Sequence, residues 1–235
     1  QFGYAFRNTV YMALLNLTLG FIIPVILGLL ISQVRNKRRS RVVQTITYMP
    51  YFVAPVVVCT LAKEFLKEGG AITMFLTMFG LPNQNWLAVN SPVFWFINCF
   101  LGIWQGAGYG AIVYIAAING IDQNLYEAAC IDGASRWQRL WNITIPSIVP
   151  LVVMMFTMQI GLVFMTGFDK VLLLYMPTTY EFSDCLSTYT YRMAFSSGND
   201  FSLSTASGLL QSIIGTLLLI FGNKMSEKAT KMSLF

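Results

Sequence analysis

Long apolar tracts without a charged residue recur along this chain. They run over Asn8–Val34, Val42–Ala62, Leu140–Phe168 and Phe201–Asn223. Each is at least as long as the roughly 20 apolar residues that a helix needs to cross a bilayer. Backbone groups in hydrocarbon must be satisfied within the segment, and these tracts lack the alternation of barrel strands. The pattern therefore predicts membrane-spanning helices.

The tracts predict an all-α membrane protein, a polytopic helical bundle with five spans. We place the spans at about Val10–Ser32, Ile46–Phe65, Val93–Ile118, Ile148–Phe168 and Thr205–Phe221. Prolines interrupt the first two spans, and membrane helices tolerate them because neighbouring helices satisfy the freed carbonyls. These prolines are Pro24, Pro50 and Pro55.

The third predicted span is rich in small residues. It contains Gly102, Gly106, Ala107, Gly108 and Gly110. Overlapping GxxxG patterns of this kind favour close helix packing. A flexible gate at Gly106–Gly110 is the alternative, and the sequence leaves both open.

Composition and charge placement support membrane insertion and predict its direction. Only 11% of the residues are charged, whereas soluble domains average about 25%. If every span crosses, ten of the fifteen basic residues fall on one side: Arg35, Lys37, Arg38, Arg39, Arg41, Arg136, Arg139, Lys224, Lys228 and Lys231. The positive-inside rule makes that side cytoplasmic, together with the C-terminus. With this orientation the chain would begin on the external side, at Gln1, and no signal peptide precedes the first span. We therefore expect an upstream helix to be missing from this sequence.

Composition also excludes several kinds of chemistry. The chain has no histidine, so it has no imidazole base and no histidine metal ligand. It has no GxxxxGKS or GxxxxGKT loop and does not itself hydrolyse ATP by that route; no cofactor is expected. The net charge is +5, but the basic residues are distributed according to the side of the membrane. No nucleic-acid partner is therefore expected. The cysteines lack CxxC spacing, and we expect small buried hydrophobes at Cys59, Cys99, Cys130 and Cys185.

The segment 119–146, between the third and fourth spans, is more than a simple connector. We predict Asp122 as the N-cap of a short helix through Tyr126–Ile131, and Gly133 as its left-handed end. Ser135 then opens a second helix, because Gln138 three residues later completes a capping box.

Apolar and charged side chains alternate in this segment. The apolar ones are Ala128, Ala129, Ile131, Trp137, Leu140 and Trp141, and the charged ones are Glu127, Asp132, Arg136 and Arg139. The segment fits an interfacial amphipathic helix with its tryptophans among lipid headgroups. It equally fits a segment packed against the protein's own helix ends, or a surface for a cytosolic partner. Physical chemistry alone leaves the three open.

A motif in the segment resembles a known family. The order is Glu127-Ala128-Ala129, three residues, Gly133, nine residues, and Ile143-Thr144-Ile145-Pro146. It resembles the EAA loop of binding-protein-dependent ABC importer permeases, which reads EAA, three residues, G, nine residues, I-x-L-P. Ile145 replaces the usual leucine, and Pro146 marks the return into the fourth span. The run Asp132-Gly133-Ala134 is similar to the D-G-A run typical of the sugar-transporting branch of this family.

The resemblance covers nearly the whole chain. Three further tracts are similar to maltose-type permeases, near the lipoprotein/polysaccharide-transporter subgroup: Gln44–Pro50, Leu101–Gln105 and Gly222–Lys224. Such permeases are type I ABC importers and usually have six core helices. The resemblance therefore implies that residues 1–235 are one transmembrane domain of a bacterial cell membrane protein, without its first helix.

The same resemblance implies a role and partners. A sugar or oligosaccharide would arrive on an extracellular solute-binding protein, lipid-anchored or periplasmic, and pass through this chain and a second homologous permease into the cytoplasm. The chain would do no chemistry, since a cytosolic ABC ATPase dimer would bind segment 119–146 as a coupling loop. The coupling residues that the motif implies are Glu127, Ala128, Ala129, Asp132, Gly133, Ala134 and Pro146.

Two alternatives and two further predictions complete the sequence analysis. A permease for another solute would share the EAA loop, and an ion-coupled carrier is disfavoured because only Lys63 and Glu64 approach a span interior. The loop Asp169–Ser204 is either solvated or a docking surface for an external partner. Six aromatic or amide side chains are candidates to line a sugar pathway: Trp104, Gln105, Tyr109, Gln159, Phe164 and Phe168. For each of them, packing in the core or contact with lipid is the alternative.

Overall fold

The chain folds into helices joined by short turns. The computed structural model describes residues 1–34, 36–165, 167–195 and 200–230, and these ranges contain no strand. In chain order the helices are α1 (Phe2–Ser32), α2 (Lys37–Tyr48), α3 (Pro55–Leu66), α4 (Ala71–Thr77), α5 (Val93–Asn119), α6 (Gln123–Ile131), α7 (Arg136–Leu162), α8 (Phe168–Leu174), α9 (Tyr180–Ser183), α10 (Leu186–Phe195) and α11 (Phe201–Thr230). Single 3₁₀ turns lie at Met49–Phe52, Val163–Met165 and Pro177–Thr179.

The predicted multi-pass helical membrane protein is confirmed. Four helices, α1, α5, α7 and α11, are long and apolar enough to cross a bilayer, and a bent pair formed by α2 and α3 makes a fifth. In α5, 39% of the apolar window is buried inside the protein, against 17% in the other three. Helix α5 is therefore the centre of the bundle, and the others present most of their apolar surface outwards.

The second predicted span is not one straight helix. The chain bends by 91° between Phe52 and Pro55. Val53 and Ala54 are extended there, with ψ of 127° and 139°, because the residue before a proline is pushed out of the helical region. Pro55 then takes the first position of α3, where its missing N–H costs nothing.

The fourth predicted span is displaced. The prediction placed it at Ile148–Phe168, but α7 begins at Arg136 and ends at Leu162. Pro146 therefore does not mark a separate return into the membrane, since it lies inside a continuous helix. A π-helical turn, Leu140–Thr144, precedes Pro146, just as Asn16–Gly20 precedes Pro24 in α1. Such bulges absorb the hydrogen bonds that prolines remove.

The two ends of the bundle carry different residues. Ser32, Asn119 and Arg136 border one cavity, so the end of α1, the end of α5 and the start of α7 lie together; we call this the basic end. At the opposite end, Asn8 of α1 donates to the carbonyl of Asp184, at 2.9 Å, and Trp95 of α5 donates to that of Phe182, at 2.7 Å. Arg35 and Lys231, two of the predicted cytoplasmic basic residues, lie outside the described residues.

The glycines of α5 serve two purposes. A Cβ on Gly108 would lie 2.0 Å from the Thr47 carbonyl oxygen, and one on Gly110 would lie 3.3 Å from Pro24. These two positions confirm close packing against α2 and α1. Gly106 has nothing within 4 Å of its virtual Cβ and borders a cavity.

The segment predicted as a loop over Asp169–Ser204 contains α8, α9 and α10. Asp184, Thr188 and Arg192 are buried there at 2%, 0% and 6% exposure. Of the two alternatives, the solvated loop is therefore wrong for this part of the segment. Polar side chains of α1 explain the difference, since Thr9 and Asn8 donate or accept hydrogen bonds that hold α9 and α10 on the bundle.

Candidate functional site

The predicted turn in segment 119–146 is confirmed in its details. The carboxylate of Asp122 accepts a hydrogen bond from the backbone N–H of Asn124 at 2.9 Å and caps α6. The helix begins at Gln123, directly after the predicted cap, and ends at Ile131. Gly133 follows with φ of +77°, a conformation that disfavours residues with a Cβ.

The predicted capping box is also present. The Ser135 hydroxyl accepts from the backbone N–H of Gln138, and the Gln138 side chain accepts from the backbone N–H of Ser135 at 2.7 Å. Because α7 continues from this cap to Leu162, the second short helix is the first part of a span. Segment 119–146, which we call the coupling loop after the role that its motif implies, is therefore joined to the membrane bundle through the first turns of α7.

The coupling loop presents an exposed apolar surface. Ile131 is 86% exposed, Trp137 69% and Trp141 62%. Packing against the protein's own helix ends is therefore wrong for these three side chains, while a lipid interface and a partner surface both remain open. Of the seven implied coupling residues, Ala129 and Ala134 are half-buried, and Glu127, Ala128, Asp132, Gly133 and Pro146 are exposed.

Two side-chain contacts fasten α6 to α7. The hydroxyls of Tyr126 and Thr144 lie 2.9 Å apart, and Thr144 is fully buried. Arg139 donates to the sulfur of Cys130 at 2.7 Å. The prediction of a buried cysteine is wrong at Cys130, which is exposed, and confirmed at the other three. Sequence reasoning missed Tyr126 and Thr144 as a pair, because Thr144 occupies the unspecified position of the I-x-L-P pattern.

A polar cavity of about 590 Å³ lies beside the coupling loop at the basic end. Its lining residues are Ser32, Gln33, Ile118, Asn119, Gln123, Tyr126, Arg136, Arg139, Leu140 and Thr144. None of them is acidic, and two are arginines. The cavity lies between the ends of α1 and α5, the first turn of α6 and the start of α7. A displacement of the loop therefore changes the shape of the cavity.

A second cavity, of about 570 Å³, lies halfway along α5 beside the bend of the broken span; we call it the mid-depth cavity. It is lined by Tyr51, Pro55, Gln105, Gly106, Gly167, Phe168, Asp169 and Lys170. Of the predicted pathway residues, Gln105 and Phe168 border it. Tyr109 stacks on the lining residue Tyr51 with ring centroids 3.9 Å apart.

The other predicted pathway residues lie elsewhere. Phe164 is 8% exposed and packs in a core with Ala13, Val163 and Leu186. Trp104 is 48% exposed, and neither it nor Gln159 lines the mid-depth cavity. For Phe164, packing is the better interpretation.

Gln105 holds the bend of the broken span in place. Its side-chain amide donates to the carbonyl oxygen of Val53 at 2.7 Å and is 6% exposed. That carbonyl lies where the helix is interrupted, so it has no helical partner of its own. The contact fixes the edge of the mid-depth cavity to α5.

A buried ion pair organises the helices α8, α9 and α10, which we call the opposite-end cluster. Arg192 donates to a carboxylate oxygen of Asp184 at 2.5 Å, and Thr188 donates to the other oxygen at 2.8 Å. Burial opposes the charge of Arg192, but the hydrogen bond and charge of Asp184 outweigh it and raise the pKa of the guanidinium. Burial, together with Tyr180, raises the pKa of Tyr175 to about 12. The guanidinium of Arg192 therefore stays charged at neutral pH.

No residues in the described ranges form a metal site: three Cys, Asp or Glu side chains do not converge there. The chemistry available at both cavities is binding by hydrogen bonds, aromatic faces and charge.

Comparisons with known proteins agree with this geometry. The model of a family described as binding-protein-dependent transport system inner membrane component matches residues 20–231. The chain is 35% identical to the polygalacturonan/rhamnogalacturonan transport system permease protein YteP of Bacillus subtilis, over 94% of this chain and 69% of YteP. It is 33% identical to protein LplB of the same organism, over 97% of this chain and 72% of LplB.

A solved structure has the same fold. In the crystal structure of a bacterial alginate ABC transporter, in complex with an alginate pentasaccharide-bound periplasmic protein, one chain is 38% identical to this one. The TM-score is 0.93, and the match covers 100% of this chain and 81% of that chain. At this identity the likeness extends beyond general helical architecture.

Proposed function

This chain belongs to the inner-membrane components of binding-protein-dependent transport systems, and we propose that its cargo is a sugar or oligosaccharide. Two similar proteins, YteP and the alginate transporter, are named for polysaccharides. The mid-depth cavity supports this cargo, because aromatic faces at Tyr51 and Phe168 and the amide of Gln105 are groups that bind sugar rings. An external solute-binding protein delivers the cargo, as a periplasmic protein is bound to the alginate transporter.

The coupling loop is the surface that binds a cytosolic ATPase dimer. The observation that carries this assignment is the exposure of Ile131, Trp137 and Trp141 beside the left-handed turn at Gly133. Exposed apolar side chains at the end of α6 and in the first turns of α7 are typical of an interface with a partner. Glu127 in α6 and Asp132 directly after it are exposed and add charges that the partner can pair.

The geometry provides a path from the loop to the cavity. The contacts Tyr126–Thr144 and Arg139–Cys130 join α6 to α7. Helix α7 is continuous to Leu162, and after one 3₁₀ turn the chain arrives at Gly167 and Phe168, which line the mid-depth cavity. When the ATPase pair closes, the loop and α7 move together, and the cavity opens towards one side or the other.

The basic end faces the cytoplasm in this proposal, and the C-terminus lies on that side. The residues Lys37, Arg38, Arg39 and Arg41 are exposed in and around the first turns of α2, beside the coupling loop's end of the bundle. A second, homologous permease completes the pathway, as the resemblance of the motif in segment 119–146 to ABC importer permeases implies.

Uptake by a reconstituted transporter tests the proposal. Proteoliposomes carrying this chain, a second permease and the ATPase, with binding protein outside, are expected to accumulate a labelled oligosaccharide only when ATP is enclosed. Ionophores that collapse ion gradients are expected to have no effect. Uptake that persists without ATP and stops with ionophores would instead support an ion-coupled carrier.

A further inference from the structure

We propose that the mid-depth cavity is selective for acidic sugars and that the ammonium of Lys170 binds their carboxylate. This inference rests on the proposed sugar cargo and specifies its chemical class. Among the described residues, the cavity is lined by one basic residue, Lys170, by polar and aromatic groups and by one acid, Asp169, which is exposed.

The position of Lys170 is fixed by α5. Its Nζ lies 3.7 Å from the point where a Cβ on Gly102 would sit, so the ammonium rests against the surface that this glycine leaves open. Gln105 and Gly106 follow Gly102 by three and four residues and therefore share its helix face. The ammonium and the buried amide thus border one continuous strip of the cavity wall.

The charge of Lys170 has no fixed partner in the described residues. Two ion pairs are found there, Lys67 with Glu64 and Arg192 with Asp184, and neither includes Lys170. The side chain is half-buried, so it has lost part of its hydration, and the exposed carboxylate of Asp169 acts on it through its charge without an ion-pair contact. A carboxylate supplied by the cargo compensates for this loss.

The rest of the wall suits a sugar ring. Tyr51 lines the cavity and is held by stacking on Tyr109 with an angle of 5° between the rings. Gln105 uses its N–H on Val53, which leaves its carbonyl oxygen to accept from a sugar hydroxyl. The volume of about 570 Å³ is within the range of roughly 300–1,000 Å³ found for small-molecule sites.

The test compares two probes that differ in charge and two lysines that differ in position. Trigalacturonate and its fully methyl-esterified form are supplied to the complete transporter in proteoliposomes, and uptake is divided by the fraction of binding protein that each probe occupies. Lys170→Gln is expected to lower uptake of the acid about tenfold, the loss typical of one charged hydrogen bond, and to leave the ester unchanged. Lys170→Arg keeps the charge and is expected to retain most of the uptake.

Lys67→Gln is the matched control, because Lys67 is a basic residue that does not line the mid-depth cavity, is 53% exposed and is paired with Glu64. It is expected to change uptake of neither probe. Equal losses of acid and ester in Lys170→Gln would overturn the inference and leave Lys170 a packing residue. If the transporter takes up neutral maltotriose but neither trigalacturonate nor its methyl ester, the proposed preference for acidic sugars is overturned and the sugar cargo stands. If it takes up none of the three saccharides, the proposed sugar cargo is overturned as well.

Discussion

The coupling loop and the opposite-end cluster both connect spans, yet they are built in opposite ways. The loop leaves Ile131, Trp137 and Trp141 exposed and is fastened to α7 by two side-chain contacts. The cluster buries the ion pair Asp184–Arg192 and is bonded to α1 through Asn8 and Thr9. In the proposed function the first segment offers its side chains to a partner, whereas the second uses them to close the fold.

The difference indicates that the cluster contributes mainly to stability and the loop mainly to function. A buried pair with all its oxygens bonded is costly to break, so the cluster resists change and stabilises one end of the bundle. An exposed helix with few anchors contributes little to stability and is free to bind. Substitutions in the cluster should therefore lower stability, and substitutions in the loop should lower coupling while the fold persists.

The largest effect is expected from breaking the buried pair. Asp184→Ala leaves the guanidinium of Arg192 buried without its carboxylate and also removes the acceptor of Thr188. The expected loss is about 3–5 kcal/mol of stability, measured as a lower melting temperature of the purified protein in detergent. The double variant Asp184→Leu with Arg192→Met is expected to recover most of it.

Glu64→Ala is the control for this comparison. It breaks the other ion pair of the described residues, whose side chains are 57% and 53% exposed, and exposed pairs contribute about 0–1 kcal/mol. A melting temperature as low as that of Asp184→Ala would show that burial does not distinguish the two pairs.

The next effect is expected from the turn of the loop. Gly133→Pro replaces a residue with φ of +77°, whereas proline requires about −65°, and it removes the N–H that bonds to Cys130. We expect uptake to fall at least tenfold, since strain of about 1–3 kcal/mol displaces the docking surface. ATP-driven uptake and the amount of protein in the membrane are both measured.

Gly80→Pro is the control for Gly133→Pro, because it places the same strain at another glycine with a positive φ. Gly80 has φ of +83°, nothing within 4 Å of its virtual Cβ, and an N–H bonded to Thr77, but it follows α4, far along the chain from the loop. Uptake close to wild type is expected. Equal losses in both glycine variants would mean that backbone strain, wherever it lies, stops transport.

A smaller effect is expected from the apolar patch itself. Ile131→Ser removes a side chain that is 86% exposed and that we expect to be buried by the ATPase, at a cost of roughly 1.5–3 kcal/mol of binding. The apparent affinity of the permease for added ATPase is expected to weaken about tenfold or more, with no change in melting temperature. Met78→Ser, at a residue 81% exposed beside α4, is expected to leave this affinity unchanged.

The sequence predicted the loop better than the cluster. Caps and left-handed glycines depend on residues within a few positions, so Asp122, Gly133 and Ser135 could each be assigned from their neighbours. The long uncharged tracts likewise predicted the spans, because hydrophobicity is a property of each segment alone.

The cluster and the cavities depend on contacts between distant residues. Nothing near Asp184 in the sequence indicates that Arg192 and Asn8 will bury it. Pro50 and Pro55 indicate an interruption near Phe52, but the side chain that bonds to the bend, Gln105, lies more than fifty residues away. The surroundings of Lys170 likewise come from α5, since its Nζ lies near Gly102, and its neighbours in the sequence do not predict them.

The coupling loop itself contains a natural reporter. Cys130 is exposed, whereas Cys59, Cys99 and Cys185 are buried. Burial also raises the pKa of the Cys185 thiol, so less of it is in the reactive thiolate form at neutral pH. A membrane-impermeant maleimide should therefore react with this chain at Cys130, and Cys130→Ser gives the background.

Labelling of Cys130 in oriented vesicles tests the central claim most directly. We expect label in inside-out vesicles stripped of the ATPase, none in right-side-out vesicles, and protection when the ATPase is added back. Label from the outside, or label that bound ATPase does not reduce, would contradict a cytoplasmic coupling loop.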